Sequence, residues 1–431
     1  MRTTCILCLI PLLACAPSLR AQDYMSLEEC IRITLENNYR IKIARVEREV
    51  AENNVTISQY LPTVTVDGRQ NQSVLDAETE TSGSTNRIAD GRTDTYNAGV
   101  TLNWRLFDGL AMFHTHSRQK EQLAMSDQQL KMTVDNLISS LCVEYYNILM
   151  QQKRLEAARY SLVLSEERYA QAEEMYGIGV VSGLELRQAK IDLNADSSKL
   201  VRQEETLRNA YVRLNTIMNT SLNRQGFVKD TIVLAPKMPY DEVHSRVLAQ
   251  NNMLRIARHG IQISGHDLRI ARAALFPTLN FGTGYTYNRT EANKAATTYN
   301  RNNGFNWGLS LSWPVFSGLE TARRIRNAEL NVKSQNYSYQ QLENEVLGDV
   351  TLLYNTYENN ILLIAFEQES AAVAQTSLDI AMARYKLGNL SGLEFRDYQK
   401  NYLDAVDRQW NAMYLAKTTE ISLRLMAGEL Q

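Results

Sequence analysis

One short pattern occurs twice in this chain and limits how the rest of it can fold. MYGIGVVSGLEL occupies residues 175–186, and RYKLGNLSGLEF occupies residues 384–395. Each copy places glycines and a serine inside a long run of helix-forming residues, which is the composition of a tight turn between two helices. The sequence therefore predicts two helical hairpins, with tips at residues 177–183 and 387–392.

The tips belong to a larger internal duplication. LEECIRITLENN at residues 27–38 is similar to DEVHSRVLAQNN at residues 241–252, and NWRLFDG and SWPVFSG later follow in the same order. A repeat of about 200 residues is far longer than a solenoid unit, so it indicates two copies of one half. We expect the halves at residues 22–217 and 241–428. The linker between them, residues 218–240, is expected to hold a short strand at 231–234 in a small mixed domain.

Each half contains two segments with the alternating pattern of β-strands. We expect these strands at about residues 62–74, 95–107, 278–289 and 303–316, with polar loops at 76–93 and 289–302. Strands of about ten residues with tryptophan near their ends are typical of outer-membrane barrels, although a half-buried sheet in a soluble protein has the same period. Four strands cannot close a barrel, so membrane strands would require several chains to share one.

A long helical segment follows each strand pair. We expect long helices at about residues 109–176 and 318–386, and return helices at 184–217 and 393–427. A helix of this length spans roughly 100 Å, at about 1.5 Å per residue. Hydrophobic residues recur every seven positions along it, as at Leu141, Ile148 and Leu155. This heptad spacing predicts an antiparallel coiled coil in each hairpin.

The N-terminus predicts export. Arg2, an apolar core and a cleavage position after Ala21 have the pattern of a secretory signal peptide over residues 1–21. Lipoprotein processing at Cys15 is the alternative. Only Cys30 and Cys142 remain after this segment, so we expect no disulfide framework.

Composition and motifs argue against catalysis and nucleic-acid binding. The net charge is −2, and no basic run contains interleaved aromatic residues. The sequence contains none of the usual hydrolase, zinc-protease or phosphate-loop motifs, and its five histidines are scattered. We therefore expect no enzyme activity, no cofactor and no metal site.

The opening segment, the paired strand endings and the two tips, in this order and spacing, resemble the TolC family of outer-membrane efflux proteins over about residues 22–428. The resemblance implies an α+β membrane protein and a homotrimer, in which four strands per chain build a shared 12-stranded barrel in outer-membrane lipid. The coiled-coil helices would form a periplasmic tunnel, and the linker would belong to an equatorial domain.

The resemblance also implies a function. The protein would be the passive exit duct of a tripartite efflux or type I secretion system, with a periplasmic adaptor and an inner-membrane pump or ABC transporter as partners. A periplasmic coiled-coil scaffold or adaptor-like protein without a barrel is the alternative. A diffusion porin would have more strands and no such helices.

The resemblance finally assigns roles at the tips. The adaptor-docking residues would be Tyr176, Gly179, Ser182, Gly388 and Ser391. The residues of the pore constriction and its gate would be Glu185, Arg384, Tyr385, Glu394 and Asp397. Leu390 stands where the family has an arginine in its gating link, and Arg384 is the candidate substitute. Each tip serine is also expected to form a capping box with the glutamate three residues later.

Overall fold

The computed structural model describes residues 25–81, 83–226, 230–295 and 297–430. The signal peptide and the alternative lipoprotein site at Cys15 lie outside these residues. None of the described helices is both long enough and apolar enough to cross a membrane.

The same series of elements occurs twice. The first half contains α1 (Leu27–Asn37), α2 (Tyr39–Asn54), β1 (Thr63–Thr81), β2 (Ser84–Asp108), α3 (Ala111–Gly177) and α4 (Gly183–Met218). The second half contains α5 (Tyr240–Gln250), α6 (Asn252–Ala273), β3 (Thr278–Ala292), β4 (Tyr299–Ser312), α7 (Glu320–Lys386) and α8 (Gly392–Met426). Both long helices, α3 and α7, have 67 residues.

The repeated asparagine pair near the start of each half has a structural cause. Asn38 caps α2, and its side-chain amide donates to the Ile217 carbonyl at 2.7 Å. Asn251 caps α6 in the same way and donates to the Met426 carbonyl at 3.0 Å. Each asparagine therefore starts one helix and also ties it to the end of the return helix of its own half.

The four strands form one antiparallel sheet in the order β1-β2-β3-β4. Pairing of β1 with β2 continues to Thr81 and Ser84, so the expected loop at residues 76–93 is largely strand. Charged side chains face each other across this extension, as Glu78 and Arg87 do with 3.9 Å between Oε2 and Nε. Strand pairing needs only backbone groups. Because both faces of the sheet can contact water here, the strands continue through polar sequence, and the polar residues do not show where the strands end.

The expected short strand at residues 231–234 is not formed. Residues 230–239 have no regular structure. Their backbone groups bond to side chains of α8 instead: Lys417 Nζ donates to the Val233 carbonyl at 2.8 Å, and the Ala235 amide donates to Glu420 at 3.2 Å. Ile232 is nevertheless buried, in a core that it shares with side chains of α1, α3 and α4.

The long helices of the protomer pack side by side in two hairpins that α6 joins. Helix α3 packs on α4, and α7 packs on α8, which makes the two hairpins. Helix α6 lies between α3 and α7, whereas α2 packs mainly on α3. The side of α2 that faces away from α3 carries an exposed apolar stripe: Tyr39, Ile43, Val46 and Val50.

Candidate functional site

The two tips have the same backbone turn. Gly179 and Gly388 adopt φ values of +78° and +73°, and each follows the last turn of a long helix. The Val180 amide donates to the Met175 carbonyl at 2.9 Å, and the Asn389 amide donates to the Arg384 carbonyl at 2.9 Å. These bonds are those of a Schellman motif, which requires a left-handed residue and therefore favours glycine.

Both return helices begin at a serine cap, but only one forms the expected capping box. Ser182 Oγ accepts from the Glu185 amide at 3.3 Å, and Ser391 Oγ accepts from the Glu394 amide at 3.2 Å. Glu394 completes the box by accepting from the Ser391 amide at 3.0 Å. Glu185 does not reciprocate, because its carboxylate lies beside the second tip, where a Cβ on Gly392 would be 3.1 Å from Oε1.

The tip surfaces are apolar and open. A Cβ at Gly179 or Gly388 would meet no atom within 4 Å, so both turns face free space within the protomer. Large apolar side chains around the turns are exposed: Tyr176, Ile178, Val180, Leu184, Leu387 and Leu393. Such patches on an exposed turn are typical of a docking surface for another protein.

Tyr385 lies in a small hydrophobic cluster rather than at the surface. Its ring stacks on Phe395 with 5.4 Å between centroids and an interplanar angle of 25°. Leu164 and Leu378 are buried in the same cluster, and Leu390 packs against it. Leu390 is therefore a packing residue of the second tip within the protomer.

Arg168 is a site residue that sequence reasoning missed. Its side chain is only 2% exposed, donates to Asp192 at 2.7 Å and approaches Gly392, where a Cβ would be 3.1 Å from Nη2. Arg168 also hydrogen-bonds Tyr385, although burial dominates and raises the pKa of that phenol. The available sequence signal is weak: Arg154, Ser161 and Arg168 place polar residues seven apart along α3.

The acidic residues of the second tip are exposed. Glu394 and Asp397 lie three residues apart on one side of α8, and Arg384 is also exposed. The Ser391 backbone amide and hydroxyl donate to Glu394, and together with the Arg384 charge they lower the pKa of this carboxyl group. Glu394 is therefore ionised at neutral pH. Within the described part of the chain, no three His, Cys, Asp or Glu side chains are grouped to hold a metal ion.

Comparisons with known proteins agree on one family. A family model described as outer membrane efflux protein matches residues 30–220 and again residues 243–429. Outer membrane protein TolC of Vibrio cholerae is 21% identical and aligns over 78% of this chain and 77% of its own length. Alkaline protease secretion protein AprF of Pseudomonas aeruginosa is 21% identical over 92% of this chain and 83% of its own.

Solved structures share the fold. The CmeC outer membrane channel of Campylobacter jejuni superposes with a TM-score of 0.77 at 18% identity, covering 94% of this chain and 85% of that one. Four antiparallel strands and long paired helices are thus a TolC-like fold. The protein belongs to the outer membrane efflux protein family, whose members are channels of the outer membrane with helices in the periplasm, and not enzymes.

Proposed function

We propose that this protein is the exit duct of a tripartite efflux or type I secretion system. It passively conducts substrates that an inner-membrane pump and a periplasmic adaptor deliver. The observation that carries this proposal is the separation of two surfaces: exposed strands stand at one end of each 67-residue helix and apolar glycine turns at the other. Such a helix spans roughly 100 Å, a distance suited to crossing the periplasm.

The duct is a homotrimer in this proposal, and the internal repeat supports it. Ile256 and Ile263 of α6 are half-buried because α6 lies between α3 and α7. Their counterparts in α2, Ile43 and Val50, are 58% and 54% exposed, since within one protomer α2 has a long-helix neighbour on one side only. A second copy of the chain supplies the missing neighbour if its α7 packs against this stripe.

The sheet also supports assembly of several copies of the chain. Among the described strands, β1 and β4 each pair on one side only, which leaves two edges with free backbone donors and acceptors. In lipid such edges must be paired, and pairing β4 of one copy with β1 of the next does this. Three copies close a 12-stranded barrel around a common axis.

The tips are the adaptor-docking surface in this proposal, with Gly179 and Gly388 at its centre. We expect Gly179→Leu and Gly388→Leu to reduce crosslinked adaptor recovered by pull-down at least tenfold, with trimers intact. A side chain there would hold an approaching backbone away, whereas the local strain of a left-handed leucine is only about 1–2 kcal/mol.

Gly83→Leu is the matched control for these docking variants. Gly83 has φ +87°, no atom within 4 Å of its Cβ position, and a place at the other end of the molecule, between β1 and β2. Equal adaptor recovery from all three variants would remove the docking role. Recovery of the wild-type protein only in the soluble fraction, with no adaptor bound, would contradict the duct itself.

Glu394 and Asp397 form an acidic constriction in the trimer, with six carboxylates in three copies. We expect the double variant Glu394→Gln, Asp397→Asn to lose cation preference, measured as the reversal potential across a bilayer under a KCl gradient. The Ser391 bonds that lower the pKa of Glu394 favour the ionised form of this carboxyl group. Glu28→Gln, at an exposed position of α1, is expected to leave the reversal potential unchanged.

A further inference from the structure

One face of the sheet is apolar over the half that lies next to the helices. Side chains of residues that pair directly across antiparallel strands stand on the same face, and side chains alternate between the two faces along each strand. The opposite face carries small polar residues at the same levels, such as Thr101 and Asn306. We refer to the following exposed side chains as the apolar face: Val64, Val66, Val100, Trp104, Tyr285, Phe305, Trp307, Leu309 and Leu311.

The apolar face ends at a pair of arginines. Arg289 of β3 and Arg301 of β4 pair directly with each other on this face, at the end away from the helices. From Leu279, which pairs with Leu311, to Arg289 the strand rises about 33 Å, at about 3.3 Å per residue. At the tilt of a membrane strand this is about 25 Å in height, which is the height of the apolar band of a membrane barrel. The two arginines therefore lie where hydrocarbon meets the lipid headgroups.

The arginine pair carries positive charge that the protein neutralises only in part. Like charges directly opposite each other destabilise a sheet. Arg289 donates to Glu291 through Nε at 2.9 Å and also through Nη2, but its side chain remains 43% exposed. Arg301 forms no ion pair within the part of the chain that the structure describes. An anion bound between the two guanidinium groups would offset their repulsion.

Tyrosine rings hold both guanidinium groups in place. Arg289 Cζ lies 5.9 Å from the ring centroid of Tyr96 and 5.7 Å from that of Tyr299, and Arg301 Cζ lies 5.8 Å from that of Tyr287. Such contacts restrict the guanidinium and leave in-plane N–H groups available as donors. Fixed, exposed guanidinium groups suit the two-point recognition of a phosphate.

The sheet continues well beyond the arginine pair. Gln70 is level with Arg289, because both pair with Tyr96, and β1 runs on to Thr81, roughly 35 Å further along the strand. The headgroup layer of a phospholipid is only about 5–8 Å thick. A headgroup built of sugars is thicker, and its hydroxyls can bond to polar side chains. Such side chains continue the same face of β1 and β2: Gln70, Gln72, Arg92 and Asp94.

We propose that Arg289 and Arg301 bind a phosphate group of a phosphorylated glycolipid in the outer leaflet of the outer membrane. The polar side chains beyond them on β1 and β2 contact the sugars of the same lipid. This inference rests on the proposed function, in which the apolar face lies against lipid and the strand ends away from the helices face outward. Each protomer carries one site, so a trimer holds three such lipids around its barrel.

The test is the binding of lipid A, with both of its phosphates, to purified trimers in non-ionic detergent, titrated by native mass spectrometry. The double variant Arg289→Gln, Arg301→Gln is expected to bind lipid A at least tenfold more weakly than the wild type. Dephosphorylated lipid A is expected to bind the wild type more weakly by a similar factor. Arg69→Gln is the matched control, because Arg69 precedes Gln70 in β1 and therefore stands on the opposite face.

The outcomes separate the lipid site from the duct. Weaker binding by the double variant, with Arg69→Gln unchanged, supports the site. Unchanged affinity in the double variant overturns it, as does an equal loss in Arg69→Gln or equal binding of dephosphorylated lipid A. Phosphatidylglycerol or inorganic phosphate that binds as tightly as lipid A would overturn the assignment to a glycolipid.

Two further measurements keep the test decisive. If the double variant does not form trimers, Arg301→Gln alone decides, since this side chain is exposed and has no ion-pair partner in the described part of the chain. Wild-type trimers that stay soluble without detergent would contradict the membrane barrel of the proposed function. Wild-type trimers that need detergent but bind no lipid A would overturn only the lipid site.

Discussion

Replacing Ile43 and Val50 with aspartate is expected to leave the protein monomeric. Both side chains lie on the exposed stripe of α2, away from the face that packs on α3. Fully burying one such side chain contributes about 1.5–3 kcal/mol of free energy. A trimer has three interfaces between protomers, and each interface would lose two of these apolar side chains. Burying unpaired carboxylates at these interfaces would add a larger free-energy cost. The measurement is the trimer fraction in detergent, by mass photometry or analytical ultracentrifugation.

Arg45→Asp provides the matched control for this assembly variant. Arg45 is exposed on the same helix, two residues beyond Ile43, and does not belong to the apolar stripe. It introduces the same side chain and should leave the trimer intact. A trimeric Ile43→Asp, Val50→Asp protein would contradict the proposed packing of α2 against a second copy.

The second large effect is expected at Gly109, in the turn between β2 and α3. Gly109→Ala should strongly reduce the yield and stability of the folded protomer, because the new Cβ would lie 2.3 Å from the Ala273 carbonyl oxygen at a φ of +70°. The left-handed backbone costs an alanine about 1–2 kcal/mol, and relieving the overlap requires α6 to move, at a further cost of about 1–3 kcal/mol or more. The measurement is the yield of folded protein and its thermal unfolding.

Gly318→Ala separates backbone strain from this clash. Gly318 occupies the same place before α7, with φ +60°, but a Cβ there would meet nothing within 4 Å in the protomer. We expect its folded yield to stay near that of the wild type. Equal folding losses at both glycines would show that strain alone decides, and that the close approach of α6 to Gly109 is unimportant.

The sequence by itself determined the features that depend on neighbours along the chain. Gly388, Ser391 and Glu394 form the expected turn and capping box because their bonds join residues within six positions. The alternating and heptad patterns likewise identified strands and long helices, since each period reflects one buried or shared face. Strand ends were less predictable, because the polar residues of the β1–β2 extension carry no burial signal.

Only the tertiary structure decided which side chains meet across the hairpins. Asp196 and Arg396 are 200 positions apart, and nothing local to either residue names the other as its partner. The same holds for Glu185, which turns from its own serine toward Gly392, and for Leu390, which packs on the Tyr385 cluster. A heptad position tells which face of a helix is buried. The partner, and the charge it must balance, is set by how the two hairpins are placed against each other.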